Sequence, residues 1–356
     1  MDLPHADLAA RCIGVYVYML PSPNREDMTA RSHGLALLLT TPLALLAALP
    51  HALAQDASTN FPNRPIRMIL PVAAGGGTDT LARVIGQGLL ERWGKQVVVE
   101  NRPGAGTLIA SDLVAKSKPD GYTLLLTTST HVINPTAYRK MPYDTLRDFA
   151  PITQAVSLPS LVVVHPSVAK SAQELIALAK ARPGEILYAS AGRGSNPHLA
   201  MALFAHMAQV RMTHVPYKSG PPALIDLLAG HVAVNVSGMS SSIAHVRGGK
   251  LRALGITSAR RSAAAPEIPT VAEVALPGYE AMQWYGMLAP AGTPRDIITL
   301  LNKESVAILR APETASRFAG DGTEVVASAP EAFDAFIKAE STKWAQVAKA
   351  AGITPE

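Results

Sequence analysis

Three consecutive glycines, Gly75-Gly76-Gly77, stand between the apolar run IRMILPV (66–72) and the helical pattern TLARVIGQGLLERWG (80–94), with Thr78 and Asp79 following at once. Glycine lets backbone N–H groups approach a ligand closely, and a helix N-terminus adds unpaired donors and the positive end of a dipole. That chemistry suits an anion, although a tight turn alone would use the same residues. A dinucleotide fingerprint needs further glycines in G-x-G-x-x-G register, which the stretch lacks, and no Gly-Lys-Ser/Thr follows for a phosphate loop.

The other reactive residue types form no catalytic pattern. Ser195, in AGRGSNPHL, is not in a G-x-S-x-G elbow, and Ser240-Ser241-Ser242 lacks a neighbouring base. Helix N-capping, with Pro197 at the first helical position, is the plainer reading of Ser195 and Asn196. The ten histidines include no H-E-x-x-H, and His198 and His206 stand eight apart on one helix, two turns rather than one. No metal or cofactor is expected. Asp112, Asp120, Asp144 and Asp148 are isolated in turn and loop contexts, so no carboxylate pair stands out.

What recurs is a strand end followed by small polar residues and then a helix. It occurs at Gly75-Gly76-Gly77-Thr78, Thr127-Thr128-Ser129-Thr130, Gly192-Arg193-Gly194-Ser195-Asn196 and Tyr217-Lys218-Ser219-Gly220. Each segment offers backbone N–H and hydroxyl donors, and only two carry a cation. Several neutral donors converging on one point suit a carboxylate better than a metal or a hydride acceptor.

The elements that must position these loops alternate. Strands are expected at 66–72, 96–101, 123–128, 187–190 and 251–258, with a long or broken strand over 152–166. Helices are expected at 79–92, 107–116, 171–181 and 197–208, and MTHVPY, PALIDLLAGH and VAVNVS repeat the cycle. Alternation of this kind predicts an α/β protein with a largely parallel sheet, and runs such as VVV and LLL fit strands covered on both faces. Residues 150–160 and 280–285 read as extended crossings between two lobes, one built from 55–150 plus 285–356 and the other from 160–280. An interlobe cleft would then collect the loops at the strand ends.

The first fifty-odd residues read differently. After Met28 comes Arg31, an apolar core from Leu35 to Leu49 interrupted by Pro42, and Ala52-Leu53-Ala54 before Gln55. This is the pattern of a secretory signal peptide spanning 1–54 and cleaved after Ala54, with Met28 as the expected true start and the periplasm as destination. The chain's single cysteine, Cys12, lies in that segment. The exported part therefore has no disulfide, thiol nucleophile or thiolate metal site. With 356 residues, 48% of them hydrophobic, the chain is long enough for a packed core. A net charge of +5 from scattered basic residues gives little support to nucleic-acid binding.

Eight blocks spread in order along the chain carry a specific resemblance. They are FPNRPIRMILPVAAGGGTDTLAR, VVVENRPGAG, KPDGYTLLLTTSTHVINP, YDTLRDFAPIT, HVPYKSGPPALIDLLAGHV, GKLRALGITSARR, IPTVAEVALPGYE and WYGMLAPAGTP. Together they resemble the Bug-type solute-binding proteins of tripartite tricarboxylate transporters. The resemblance implies a two-lobed periplasmic-binding-protein fold of type II, no catalysis and no cofactor. It further implies a monomer that captures a small carboxylate in the interlobe cleft and passes it to integral-membrane permease subunits. It implicates Ala74, Gly75, Gly76, Thr78 and Asp79 in the first loop, then Ser129, Thr130 and His131 in the second. From the other lobe it implicates Gly194, Ser195, Asn196, His198, Tyr217 and Lys218. Pro197 departs from the family pattern, and Ser237 stands where amino-acid-binding members carry an aspartate for the ligand ammonium. A dicarboxylate or aromatic carboxylate is expected in place of an amino acid. The competing readings are an exported α/β hydrolase or transferase using a nucleophile such as Ser195, and a carboxylate-sensing input to a receptor.

Overall fold

The computed structural model of the protein describes residues 60–320 and 322–355. The expected leader, the start at Met28 and Cys12 lie outside the described residues. In chain order the strands are β1 (Ile66–Leu70), β2 (Val97–Asn101), β3 (Thr123–Thr128), β4 (Phe149–Leu158), β5 (Ser160–Val164) and β6 (Leu187–Ser190). They continue with β7 (Thr213–Pro216), β8 (Val234–Gly238), β9 (Arg252–Ile256), β10 (Gln283–Pro290) and β11 (Glu324–Val325). The helices are α1 (Gly77–Trp93), α2 (Leu108–Ala115), α3 (Thr130–Ala137), α4 (Ala172–Ala181), α5 (Asn196–Ala208) and α6 (Gly220–Leu228). Then follow α7 (Met239–Arg247), α8 (Val271–Val274), α9 (Arg295–Leu309), α10 (Pro312–Ala319) and α11 (Pro330–Ala350).

Two sheets form. One has the order β11-β4-β10-β3-β1-β2, the other β7-β6-β8-β5-β9. Strand β5 is buried along its whole length and β1 along four of its five residues, as expected where helices cover both faces. The expected parallel character holds only in part. β1 pairs in parallel with β2 and β3, and β6 with β7 and β8, whereas β10 runs antiparallel to β3 and β4, β11 to β4, and β5 to β8 and β9. The physical reason lies in how the chain crosses. β4 follows β3 by way of α3 and keeps its direction, whereas β10 returns from the second sheet and inserts antiparallel between them.

The long or broken strand expected over 152–166 is broken at Pro159, which has no N–H to continue a ladder. Residues 149–158 pair with β10 over their full length, so this crossing is confined to Pro159. A second passage runs from the end of β9 to β10. Thr257 ties the two together: the Ser160 N–H donates to Thr257 Oγ1 at 2.9 Å, the Thr257 N–H to Ser160 O at 2.9 Å, and the Ala281 N–H to Thr257 O at 2.9 Å. The last helix, α11, buries Phe333, Ile337 and Trp344 in a core shared with Leu199 and Met201 of α5 and with Val132 and Ile133 of α3. It therefore packs against elements that belong to both sheets.

Candidate functional site

The glycine run joins β1 to α1. Gly75 has φ of +90°, a conformation open to glycine, and Gly76 caps α1 in extended geometry without a side-chain bond. Asp79 closes the loop from within. Its carboxylate accepts from the Gly75 N–H at 3.1 Å, from Arg83 Nε and Nη2 at 3.0 and 3.1 Å, and from Asn101 Nδ2 at 3.1 Å. The Arg83 hydrogen bond, aided by those of Gly75 and Asn101, holds this carboxyl below the usual carboxylate range. Asp79 is buried and fully engaged, so it shapes the loop from behind and does not face the cavity. Thr78 is also buried and bonds to Tyr285, while Ala74 is exposed.

The second loop opens α3. The Ser129 N–H donates to Trp284 O at 3.0 Å and Ser129 is completely buried, so Thr130 alone of the three expected residues reaches the cavity. His131 points into the core. Its ring lies 5.8 Å from Tyr143, nearly parallel, and 4.8 Å from Phe149, edge-on. Burial lowers its pKa to about 4. The apolar residues around α3 draw the imidazole inward, so His131 lies in the core behind the loop.

In the other lobe Ser195 takes the N-cap position of α5, yet its hydroxyl donates to Gly192 O at 2.6 Å and no side-chain cap bond forms. Asn196 Nδ2 donates to Met282 O at 3.1 Å, which anchors α5 to the returning passage. Gly194 has φ of +70°, and a Cβ there would stand 2.6 Å from that of Ala137 at the end of α3. His198 faces the opposite way. Its Nδ1 accepts from the Gly194 N–H at 3.1 Å and its ring stacks on His214 at 3.9 Å, which stacks in turn on Tyr188 at 4.9 Å. Burial lowers His198 to about 3 and His214 to about 4, and the charge of Arg193 adds to both shifts. His198 thus buttresses the loop from a separate cavity of about 970 Å³ that it shares with Arg193 and the turn after α11. Tyr217 is likewise diverted. Its hydroxyl donates to Asp226 at 2.6 Å, burial pushes its pKa to about 12, and Lys218 is exposed.

The residues that do meet form two adjoining chambers. One, of about 510 Å³, is bordered by Thr130, Ser195, Asn196, Ser237 and the N-termini of α6 and α7. The other, of about 420 Å³, is bordered by Gly75, Gly76, Gly77, Thr80 and Arg317. Leu158, Ser240 and Tyr285 belong to both and mark their junction. Five helices, α1, α3, α5, α6 and α7, begin at these chambers, and none carries a side-chain cap bond. Only α4, through Ser171, and α8, through Thr270, carry one among the described helices; α2, α9, α10 and α11 also lack it and begin elsewhere. Pro197 and Pro221 remove N–H groups from α5 and α6, so those two contribute mainly dipole, whereas α1 and α7 also offer donors.

Among the described residues the chamber walls include no carboxylate, and Arg317 is their one full charge. Such a surface favours an anion and offers no counter-charge to a cation. The Ser195 hydroxyl has a carbonyl for its partner and no base beside it. Among the described residues no group of three or more His, Cys, Asp or Glu side chains is placed to hold a metal, and no helix is long and apolar enough to cross a membrane.

Comparison with known proteins agrees with this geometry. Residues 81–353 match the model of the tripartite tricarboxylate transporter family receptor. The chain belongs to that family. BugT of Bordetella pertussis (strain Tohama I) is 38% identical over 299 residues, 83% of this chain and 92% of BugT. The structure of R. palustris Rpa4515 with adipate has 36% identity and a TM-score of 0.74, covering 83% of this chain and all of that one. MatC from Rhodopseudomonas palustris with bound malate has 29% identity and a TM-score of 0.70, covering 81% and 100%. The fold is accordingly the two-lobed α/β fold of periplasmic binding proteins, and the chain is a solute-binding receptor of the Bug type.

Several residues on this receptor's chamber walls escape a sequence reading: Asn235, Gln283, Tyr285 and Arg317. Tyr285 and Gln283 sit in the returning strand, and Arg317 comes from α10, far from any donor-rich loop. Asn235 is the polar residue of VAVNVS, where a strand period of two puts it on one face with Ser237.

Proposed function

We propose that this protein captures a small carboxylate without an ammonium group, a dicarboxylate or an aromatic carboxylate, in the periplasm. It then delivers the acid to the membrane permease subunits of a tripartite tricarboxylate-type transporter. One observation carries the reading: five helix N-termini without side-chain caps open on two chambers whose described walls include no carboxylate. Each N-terminus carries roughly half a positive charge, and a carboxylate accepts from neutral N–H and hydroxyl donors through charge-assisted bonds. The adipate and malate in the structures of Rpa4515 and MatC support the same ligand class.

Gly75, Gly76, Thr130, Ser195, Asn196 and Ser237 are the proposed ligand contacts. Ser237, with its Oγ 3.4 Å from Ser241 Oγ, offers a hydroxyl where an ammonium would need a carboxylate. Closure is proposed to occur about the crossings at Pro159 and 281–283, between a lobe of 55–150 plus 285–356 and one of 160–280. The protein acts by binding without turnover. Thermal-shift and calorimetric titration against succinate, adipate, malate, benzoate, aspartate and glutamate test this. Acids without an ammonium group should raise Tm with concentration and be recovered unchanged. Tight binding of aspartate or glutamate alone, or chemical conversion of any of these acids, would overturn the reading.

A further inference from the structure

The donor-rich loop 192–196 has a second side. Its cation, Arg193, borders neither chamber of the cleft and lines instead the cavity of about 970 Å³ behind the loop. That cavity lies between α5, the start of β7 and the turn after α11. His198 of α5 and His214 of β7 belong to its wall; their rings stack at 3.9 Å, and His214 stacks on Tyr188 of β6 at 4.9 Å. Both rings are fastened to the loop. His198 Nδ1 accepts from the Gly194 N–H at 3.1 Å, and His214 Nε2 lies 2.6 Å from Ser190 Oγ, which accepts from the Gly192 N–H at 3.1 Å. Arg211 and His206 border the same space, and among the described residues its wall includes no carboxylate.

From this juxtaposition we infer that the cavity is a second binding site, separate from the cleft, for an oxyanion held by Arg193 beside the His198–His214 pair. A guanidinium presents parallel N–H donors that match the edge of a carboxylate, phosphate or sulfonate. Burial, the neighbouring His214 and the charge of Arg193 lower His198 to about 3, and burial and Arg193 lower His214 to about 4. Charges of one sign thus oppose one another across this wall, and an anion among them removes that opposition. His214 is the ring that gains a proton. The Ser190 hydroxyl has one hydrogen and donates it to Gly192 O at 3.0 Å, so His214 Nε2 carries its own hydrogen and Nδ1 is the basic atom. His198 Nδ1, by contrast, must stay unprotonated to accept from Gly194. Met207, Val210 and Met212 complete the wall with apolar surface, so the oxyanion is either inorganic or the acid group of an organic molecule. The inference is independent of the carboxylate reading of the cleft.

The experiment is titration with sulfate and with benzenesulfonate, anions of strong acids whose charge does not change with pH, at constant ionic strength. Binding is followed through the backbone-amide and histidine-ring NMR resonances. The His198 and His214 rings and the Gly192 and Gly194 amides should shift. Sulfate affinity should rise as the pH falls, by up to about tenfold per pH unit below about pH 6, because the bound form takes up a proton. Arg193→Gln should weaken binding about tenfold or more, whereas Lys250→Gln, which removes the same charge from the exposed turn after α7, should not. If Arg193→Gln fails to fold, Arg211→Gln, an exposed residue of the same wall, decides in its place. Tighter binding of benzenesulfonate than of sulfate assigns the site to an organic acid, and no gain assigns it to an inorganic oxyanion. Unshifted histidine rings, an affinity independent of pH, or equal losses in the cavity variant and Lys250→Gln each overturn the inference and leave the carboxylate reading intact.

Discussion

The backbone N–H of Gly194 donates to Nδ1 of His198 at 3.1 Å, so the loop that carries Ser195 and Asn196 to the chamber is held from its far side by a buried neutral imidazole. The same glycine lies close to the end of α3. Its φ of +70° and the 2.6 Å approach that a Cβ would make to Ala137 leave no room for a side chain. Gly194→Ala should cost about 1–2 kcal/mol from the left-handed backbone alone, with the contact to Ala137 adding to it. Ligand affinity should fall by about tenfold for each 1.4 kcal/mol of that cost felt in the ligand-bound form. Calorimetry and chemical denaturation of the variant check both numbers, and unchanged affinity and stability would contradict the role given to this glycine.

Two buried histidines, His131 and His198, and the half-buried His214 set an acid limit on stability. Burial holds His131 and His214 at about 4 and His198 at about 3, all below the ordinary histidine value of 6.5. A group with a depressed native pKa binds more protons when unfolded, so stability is complete above about pH 6.5 and declines as the pH falls towards 4. Each histidine adds a slope of up to about 1.4 kcal/mol per pH unit in that window. Urea denaturation at pH 7, 5.5 and 4.5 should show the decline, and His131→Phe should reduce the slope by about one proton. An unaltered slope in that variant would mean that His131 is not held neutral by the fold.

The first loop depends on a residue that never faces the chamber. Asp79 gathers the Gly75 N–H, Arg83 and Asn101, so Asp79→Ala should destabilise the protein by about 1–3 kcal/mol and loosen the glycine loop enough to weaken ligand binding. Arg83 is largely exposed in the same ion pair, and Arg83→Ala should cost less than about 1 kcal/mol. Measuring Tm and affinity for both variants separates a loop buttress from a simple surface pair. Equal losses from the two would argue against the assignment.

The sequence makes legible what is carried by composition at short range. Apolar runs bounded by glycine and proline disclose β1 and β3, and the glycines mark the β1–α1 loop as a place where backbone comes close. Residue type does not disclose direction. His131 and His198 stand in donor-rich loops as a ligand contact would, but the apolar residues around α3 draw the first into the core, and the second is buried against His214 behind its loop. Ser129 is hidden in the same way. Strand direction is equally silent, because an apolar run reports two covered faces and not the sense of its neighbours, so a largely parallel sheet is expected where β5 and β10 pair antiparallel. Asn235 is visible only as one polar letter in VAVNVS.

Thr257 joins the two crossings, and its hydroxyl accepts from the Ser160 N–H at 2.9 Å. It is completely buried, as Ser160 nearly is, so replacing the hydroxyl by a methyl strands the Ser160 N–H in a dry environment. Thr257→Val keeps the shape and the β-branched backbone preference while removing this one acceptor. The expected cost is about 1–3 kcal/mol of stability, read from chemical denaturation. Because the bond lies where the lobes join, the variant should also close on ligand less tightly. Small-angle scattering with and without a binding acid should show a smaller compaction than in wild type. Full stability in Thr257→Val would show that the Ser160 N–H finds another partner and that the crossings are not tied through this side chain.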